Sequence, residues 1–179
     1  MQAPFEAPSW QHGQTTMGTH RVTVHVAAPP DKVFRLWTDL DRLKEWVGGV
    51  TKVTDVTGPI DQPGTRYTVW FGRMPSGTEV LEADPPRFLR TRFRSRVLGG
   101  ETKATFEPEA EGTRITQEFR TEGWIAGIAG RIFSMGSYRG SFRGELNTFA
   151  RLAETEARTA AGKTEAAFLD FPGSDPTVE

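Results

Sequence analysis

The sequence predicts an α+β domain in which a curved, seven-stranded antiparallel sheet grips one long C-terminal helix, with two short helices after the first strand. Three observations carry this. Apolar residues alternate over residues 20–26. Period-two segments then fill residues 52–122, broken every eight to twelve positions by turn residues. After Gly123 the apolar spacing returns to three and four.

Taken in order, residues 1–18 are rich in Pro, Gln, Gly and Thr without a period, and are expected to form a loose arm. In the first strand Val22, Val24 and Val26 take one face, with Arg21, Thr23 and His25 on the other. Pro29 and Pro30 end it, because proline cannot donate to a ladder and suits the first turn of a helix. Val33, Leu36, Trp37, Leu40, Leu43, Trp46 and Val47 then recur at helical spacing until Gly48-Gly49. Strands are expected near residues 52–57, 65–72, 77–84, 87–97, 101–107 and 113–121, with turns at 61–64, 74–77, 84–86, 98–100 and 109–112. Such short connections make the strands mostly antiparallel. The last helix is expected to run from about 123 to 158, with Trp124, Ile128, Met135, Phe142, Leu146, Phe149 and Ala153 on one side. Residues 159–179 read as a C-terminal tail, expected to be mobile.

Composition limits what such a domain can do. A chain of 179 residues suits one domain over residues 19–158, and a chain of this size buries roughly 70% of its unfolded surface without staples. The formal charge is −1, so no global field gathers nucleic acid or anionic lipid. No Cys is present, which excludes disulfides and thiolate chemistry. No apolar run approaches the ~20 residues of a membrane helix, and the first residues lack the pattern of a signal peptide. A cytoplasmic protein is expected, without an integral membrane segment or a nucleic-acid partner.

The segment Val24-His25-Val26-Ala27-Ala28-Pro29-Pro30-Asp31-Lys32-Val33-Phe34-Arg35-Leu36-Trp37-Thr38-Asp39 resembles the start of the START-like helix-grip superfamily. That superfamily (SRPBCC) includes polyketide cyclases/dehydrases, Bet v 1-type proteins and lipid-transfer domains. Trp46, the turn Ala83-Asp84-Pro85-Pro86-Arg87-Phe88-Leu89 and the helical Asn147-Thr148-Phe149-Ala150-Arg151-Leu152-Ala153 are similar as well. The resemblance covers residues 19–156 and implies a deep apolar pocket between sheet and long helix, opening near the short helices. It implies no particular activity, because such a fold hosts many functions.

Alternation then suggests the pocket wall: Tyr67, Val69 and Phe71; Leu89, Thr91 and Phe93; Thr102, Ala104 and Phe106; Ile115, Gln117 and Phe119. Helix residues Trp124, Ile128, Met135, Arg139 and Phe142 would close it. Tyr67 and Gln117 are its polar fixing points. Three small inward residues (Thr91, Thr102 and Ala104) argue for open space over a filled core, so Ala104→Trp is expected to fit. Arg139 could hold a ligand oxygen, or lay its stem over apolar surface with its head in water.

Catalytic residues are not identifiable. His20 and His25 are five apart on one strand and point to opposite faces, so they cannot chelate together, and neither metal nor cofactor is expected. No phosphate loop or nucleophile elbow is present. Arg90, Arg92 and Arg94 share the outer face, where pairing with Glu101, Glu118 and Glu122 is the cheaper explanation than an anion-binding patch. Gly136, Gly140 and Gly144 form a small-residue groove that would allow a homodimer.

Three functions remain. The leading one is binding, storage or transfer of a small hydrophobic or aromatic ligand in an internal cavity. The alternatives are a cyclase/dehydratase-type enzyme, with Tyr67, Gln117 and Arg139 suspected, and a protein-interaction module.

Overall fold

The computed structural model describes residues 17–96, 98–122 and 135–169, with side chains over 19–96, 98–121 and 142–162. Strand β1 (Met17–Val26) is followed by α1 (Pro30–Thr38), a 3-10 turn (Leu40–Arg42) and α2 (Leu43–Trp46). Next come β2 (Val50–Thr54), β3 (Arg66–Phe71), β4 (Met74–Asp84), β5 (Phe88–Ser95), β6 (Gly99–Glu109) and β7 (Gly112–Glu122). Helix α3 (Met135–Leu169) completes the chain. One seven-stranded sheet has the order β1-β7-β6-β5-β4-β3-β2, antiparallel throughout. Register shifts in β1, β2 and β4 put extra residues on those strands, and such bulges bend a sheet.

Local chemistry explains the boundaries. Pro29 and Pro30 open α1, whose Val33, Phe34, Leu36 and Trp37 are buried. The Asp39 carboxylate accepts from the Asp41 N–H at 3.2 Å and starts the 3-10 turn. The expected turn at residues 74–77 is instead part of β4. The hairpin turns at Gly72-Arg73, closed by the Phe71–Met74 pair. Gly72 has φ +60°, which glycine adopts without steric cost. Pro75 is tolerated in β4 because it faces Trp70 of β3, while the β5 ladder begins only at Ser76.

Helix α3 continues past Arg158 to Leu169. Its residues 158–162 are exposed, so this stretch buries no stripe that the sequence pattern could reveal; Ala, Lys and Glu sustain it by propensity. Residues 123–134, expected to be helical, lie outside the described residues. So do residues 1–16 of the expected arm and the end of the tail.

The core lies between the concave sheet face and the helices. Trp37 and Trp46 pack at 4.7 Å between ring centroids, and each meets Phe149 of α3 at 5.0 Å. Trp37 and Phe34 both approach the Phe106 ring edge-on at 5.4 Å. Such contacts add about 0.5–1.5 kcal/mol each beyond their burial. Thr113 is fully buried, and its hydroxyl donates to the Ala28 carbonyl at 2.7 Å.

Candidate functional site

Strand pairing lays the inward residues out as rows across the sheet. One row runs Val22–Gln117–Ala104–Leu89, and the next His20–Phe119–Thr102–Thr91–Val80. A third runs Gly100–Phe93–Thr78–Tyr67, and a fourth Ser95–Ser76–Val69. The strand residues read from alternation therefore share one face, the face toward α3. Phe93 stacks on Phe119 at 5.1 Å, and Phe119 meets Phe142 of α3 at 4.8 Å. Gly100 makes room for this stack. The Phe93 ring lies over it, and a Cβ there would also collide with the Arg120 carbonyl.

The rows differ in packing. Ala104, Phe106, Leu89 and Ile115 are closed over by protein. Ala104, expected beside open space, retains only 3% of its surface, because α1 and the middle of α3, from Leu146 to Ala153, fill that end. Toward the β3–β4 turn the packing loosens: Tyr67, Phe71 and Phe93 are only half-buried, although Val69 and Phe119 are buried; Gln117, in the row of Ala104, is half-buried as well. Thr91 and Thr102 spend their hydroxyls on each other at 2.8 Å. The resemblance implied an opening near the short helices; the described residues there form the aromatic cluster around Trp37 and Trp46.

Tyr67 is the most informative of these side chains. Burial pushes its phenol pKa up, yet the residue retains accessible surface. Its hydroxyl has no hydrogen-bond partner among the described residues. Tyr67 thus packs against the edge of the core cluster with a hydroxyl that the described residues leave unbonded.

Two inward groups carry no signal in the motif reading. Glu145 lies three residues after Phe142 and four before Phe149, hence on the inner edge of α3. Its Oε1 accepts the Gly48 N–H at 3.0 Å, tying α3 to the loop before β2. Burial raises its carboxyl pKa, and the Gly48 hydrogen bond opposes that rise. The second is His20, opposite Phe119, whose Nδ1 is buried without a partner. His25 faces outward, 3.7 Å from Glu109. The two histidines therefore diverge, and no group of three or more potential metal ligands occurs among the described residues.

Other expected site residues fall outside what the structure describes. Trp124 and Ile128 lie outside the described residues; Met135 and Arg139 lie in α3, with their side chains outside the described part. Gly144 faces open space.

The convex face is a charge ladder. Arg90 pairs with Glu82 at 2.5 Å and Glu101 at 3.3 Å, and Arg92 with Glu101 at 2.8 Å. Glu118 pairs with Arg21 at 2.5 Å. Outside the concavity, a groove of about 380 Å³ runs between α1 and α3. Its Arg35 is paired with Asp31, and its Arg42 with Glu45 and Glu156. No helix among the described residues is long and apolar enough to cross a membrane.

Comparison with known proteins agrees with this architecture. The family model described as polyketide cyclase / dehydrase and lipid transport matches residues 17–163. Protein CV1439 from Chromobacterium violaceum is similar at 19% identity and a TM-score of 0.60, over 76% of this chain and 97% of that one. DynU16, from the dynemicin biosynthetic locus, is 23% identical at a TM-score of 0.60, over 78% of this chain and 48% of that one. TTHA0849 from Thermus thermophilus is 24% identical at a TM-score of 0.57, over 78% of this chain and 99% of that one. No curated protein matches the chain. With a family model spanning most of the sequence, and a sheet that holds its long helix as these structures do, the chain belongs to the polyketide cyclase/dehydrase and lipid-transport family of the START-like helix-grip superfamily.

Proposed function

We propose that the protein binds one small hydrophobic, aromatic ligand between the concave sheet face and α3, for storage or transfer. The observation that carries this reading is Tyr67, packed at the edge of the core, whose largely enclosed hydroxyl has no hydrogen-bond partner among the described residues. In a filled core such a hydroxyl would find a partner. The Phe93–Phe119–Phe142 stack supplies an apolar wall beside it. Native mass spectrometry of the purified protein, followed by solvent extraction, tests the reading. The expected result is one small apolar molecule retained at one per chain, or saturable binding of 1-anilinonaphthalene-8-sulfonate once it is stripped. A bare polypeptide mass with no saturable probe binding would overturn it.

A second reading, a cyclase or dehydratase acting on a polyketide-like substrate, draws support from the family description and from the inward titratable groups His20 and Glu145. Under it the extracted compound is a product, and a precursor offered to the protein is converted.

A further inference from the structure

The wall between β1 and β7 carries two polar side chains that the fold itself does not satisfy. His20 faces the same side as Phe119, its partner across the ladder, and Gln117 pairs with Val22 two residues further along. His20 and Gln117 are thus diagonal neighbours on one face, about 7–8 Å apart between Cα atoms, within the combined reach of two long side chains. Nδ1 of His20 is buried and has no hydrogen-bond partner among the described residues. The Gln117 carboxamide, half-buried, has none among them either. Between them stands Phe119, the middle ring of the stack. A buried, unpartnered ring nitrogen and a half-buried carboxamide beside an apolar stack are what a site for an apolar body with one polar end requires.

We propose that His20 and Gln117 form a hydrogen-bonding subsite for an oxygen at one end of an otherwise apolar, flat ligand. The ligand body lies beside the Phe93–Phe119–Phe142 stack, and its oxygen accepts from the Gln117 amide and from the His20 ring in its Nδ1–H tautomer. This rests on the ligand-binding reading above and adds the chemistry of the ligand's end. Specificity follows from the asymmetry of polar burial: a ligand lacking the oxygen leaves both groups unpaired.

The test compares 2-acetylnaphthalene with 2-isopropenylnaphthalene, which has the same shape but a methylene where the ketone has oxygen. Both are titrated calorimetrically into the stripped full-length protein. The wild type is expected to bind the ketone at least tenfold more tightly. His20→Phe and Gln117→Leu are each expected to erase that preference, with the ketone bound more weakly and the hydrocarbon at least as tightly as by the wild type. His20→Asn, which keeps a donor and an acceptor near the Nδ1 position, retains part of the preference, and with Gln117→Leu decides the matter if His20→Phe fails to fold. No ketone preference in the wild type, or a preference kept in full by His20→Asn, His20→Phe and Gln117→Leu alike, overturns the subsite while hydrocarbon binding leaves the ligand-binding reading intact. If neither compound binds, that reading falls and the subsite falls with it.

Discussion

The same strands build both ends of the concave face, and the two ends behave differently. Toward Val26 and Phe106 the inward residues are aromatic or aliphatic apart from the bonded Thr113, and α1, α2 and the stretch of α3 from Leu146 to Ala153 interlock with them: Phe106, Ile115, Leu146 and Phe149 expose 1% or less of their surface. Toward Phe71 and Met74 the inward rows mix aromatic with hydroxyl residues (Tyr67, Ser76, Thr78), and Tyr67, Phe71 and Phe93 keep accessible surface. The difference teaches where folding energy and function are separated. A close-packed end supplies stability, because dispersion and burial both reward interdigitation. The looser end gives up some of that gain and leaves polar atoms to be satisfied by something other than the fold.

Substitutions at the two ends should therefore separate. Phe149→Ala opens a hole among Trp37, Trp46 and Leu146 and is expected to cost about 3–5 kcal/mol in denaturant unfolding. A loss below ~1 kcal/mol would show that the helix end is not tightly packed. Ala104→Trp overpacks a row with no room and is expected to cost about 1–3 kcal/mol; a variant as stable as the wild type would extend the open region as far as Leu89.

Glu145 adds a pH test at the seam between the ends. Its carboxyl pKa is higher folded than unfolded, so the folded state binds more protons in the window from the ordinary carboxylate range up to the folded value. Its contribution is therefore fully present below that window and is lost as pH rises through the folded pKa. Glu145→Gln should flatten this decline in stability as pH rises above the ordinary carboxylate range. An unchanged pH profile would place the carboxylate in free solvent. The smallest change in stability is expected for Tyr67→Phe, within about 0.5 kcal/mol, since the lost hydroxyl has no partner among the described residues. The same variant should weaken binding of 1-anilinonaphthalene-8-sulfonate or shift its emission. A loss of about 2 kcal/mol in stability would mean the phenol is structurally bonded.

The sheet was legible in the sequence because a strand's period of two is blind to its neighbours. Once Val22, Val24 and Val26 face inward, Gln117, Ala104 and Leu89 must follow if the ladders are in register, and they do. The hairpin at Gly72 was misplaced because Pro75 and Gly77 advertise a turn as strongly as Gly72 does. Only the missing β5 partner of Pro75 makes its place in a strand acceptable. The continuation of α3 past Arg158 was missed because its residues 158–162 are exposed and form no apolar stripe, and Glu145 because a single acid beside a stripe looks like a surface residue until Gly48 is seen to donate to it.

By itself the sequence determined the order of elements, the inward face of β1, β3, β5, β6 and β7 and the aromatic content of the core, since these follow from local periodicity and turn chemistry. Tertiary structure alone decided which inward residues are packed and which face space. Small residues such as Ala104 and Thr91 look alike in a pattern, yet one is covered by α1 and α3 while the other is bonded to Thr102. Packing and hydrogen-bond satisfaction depend on atoms brought together from distant parts of the chain, and no local period encodes that meeting.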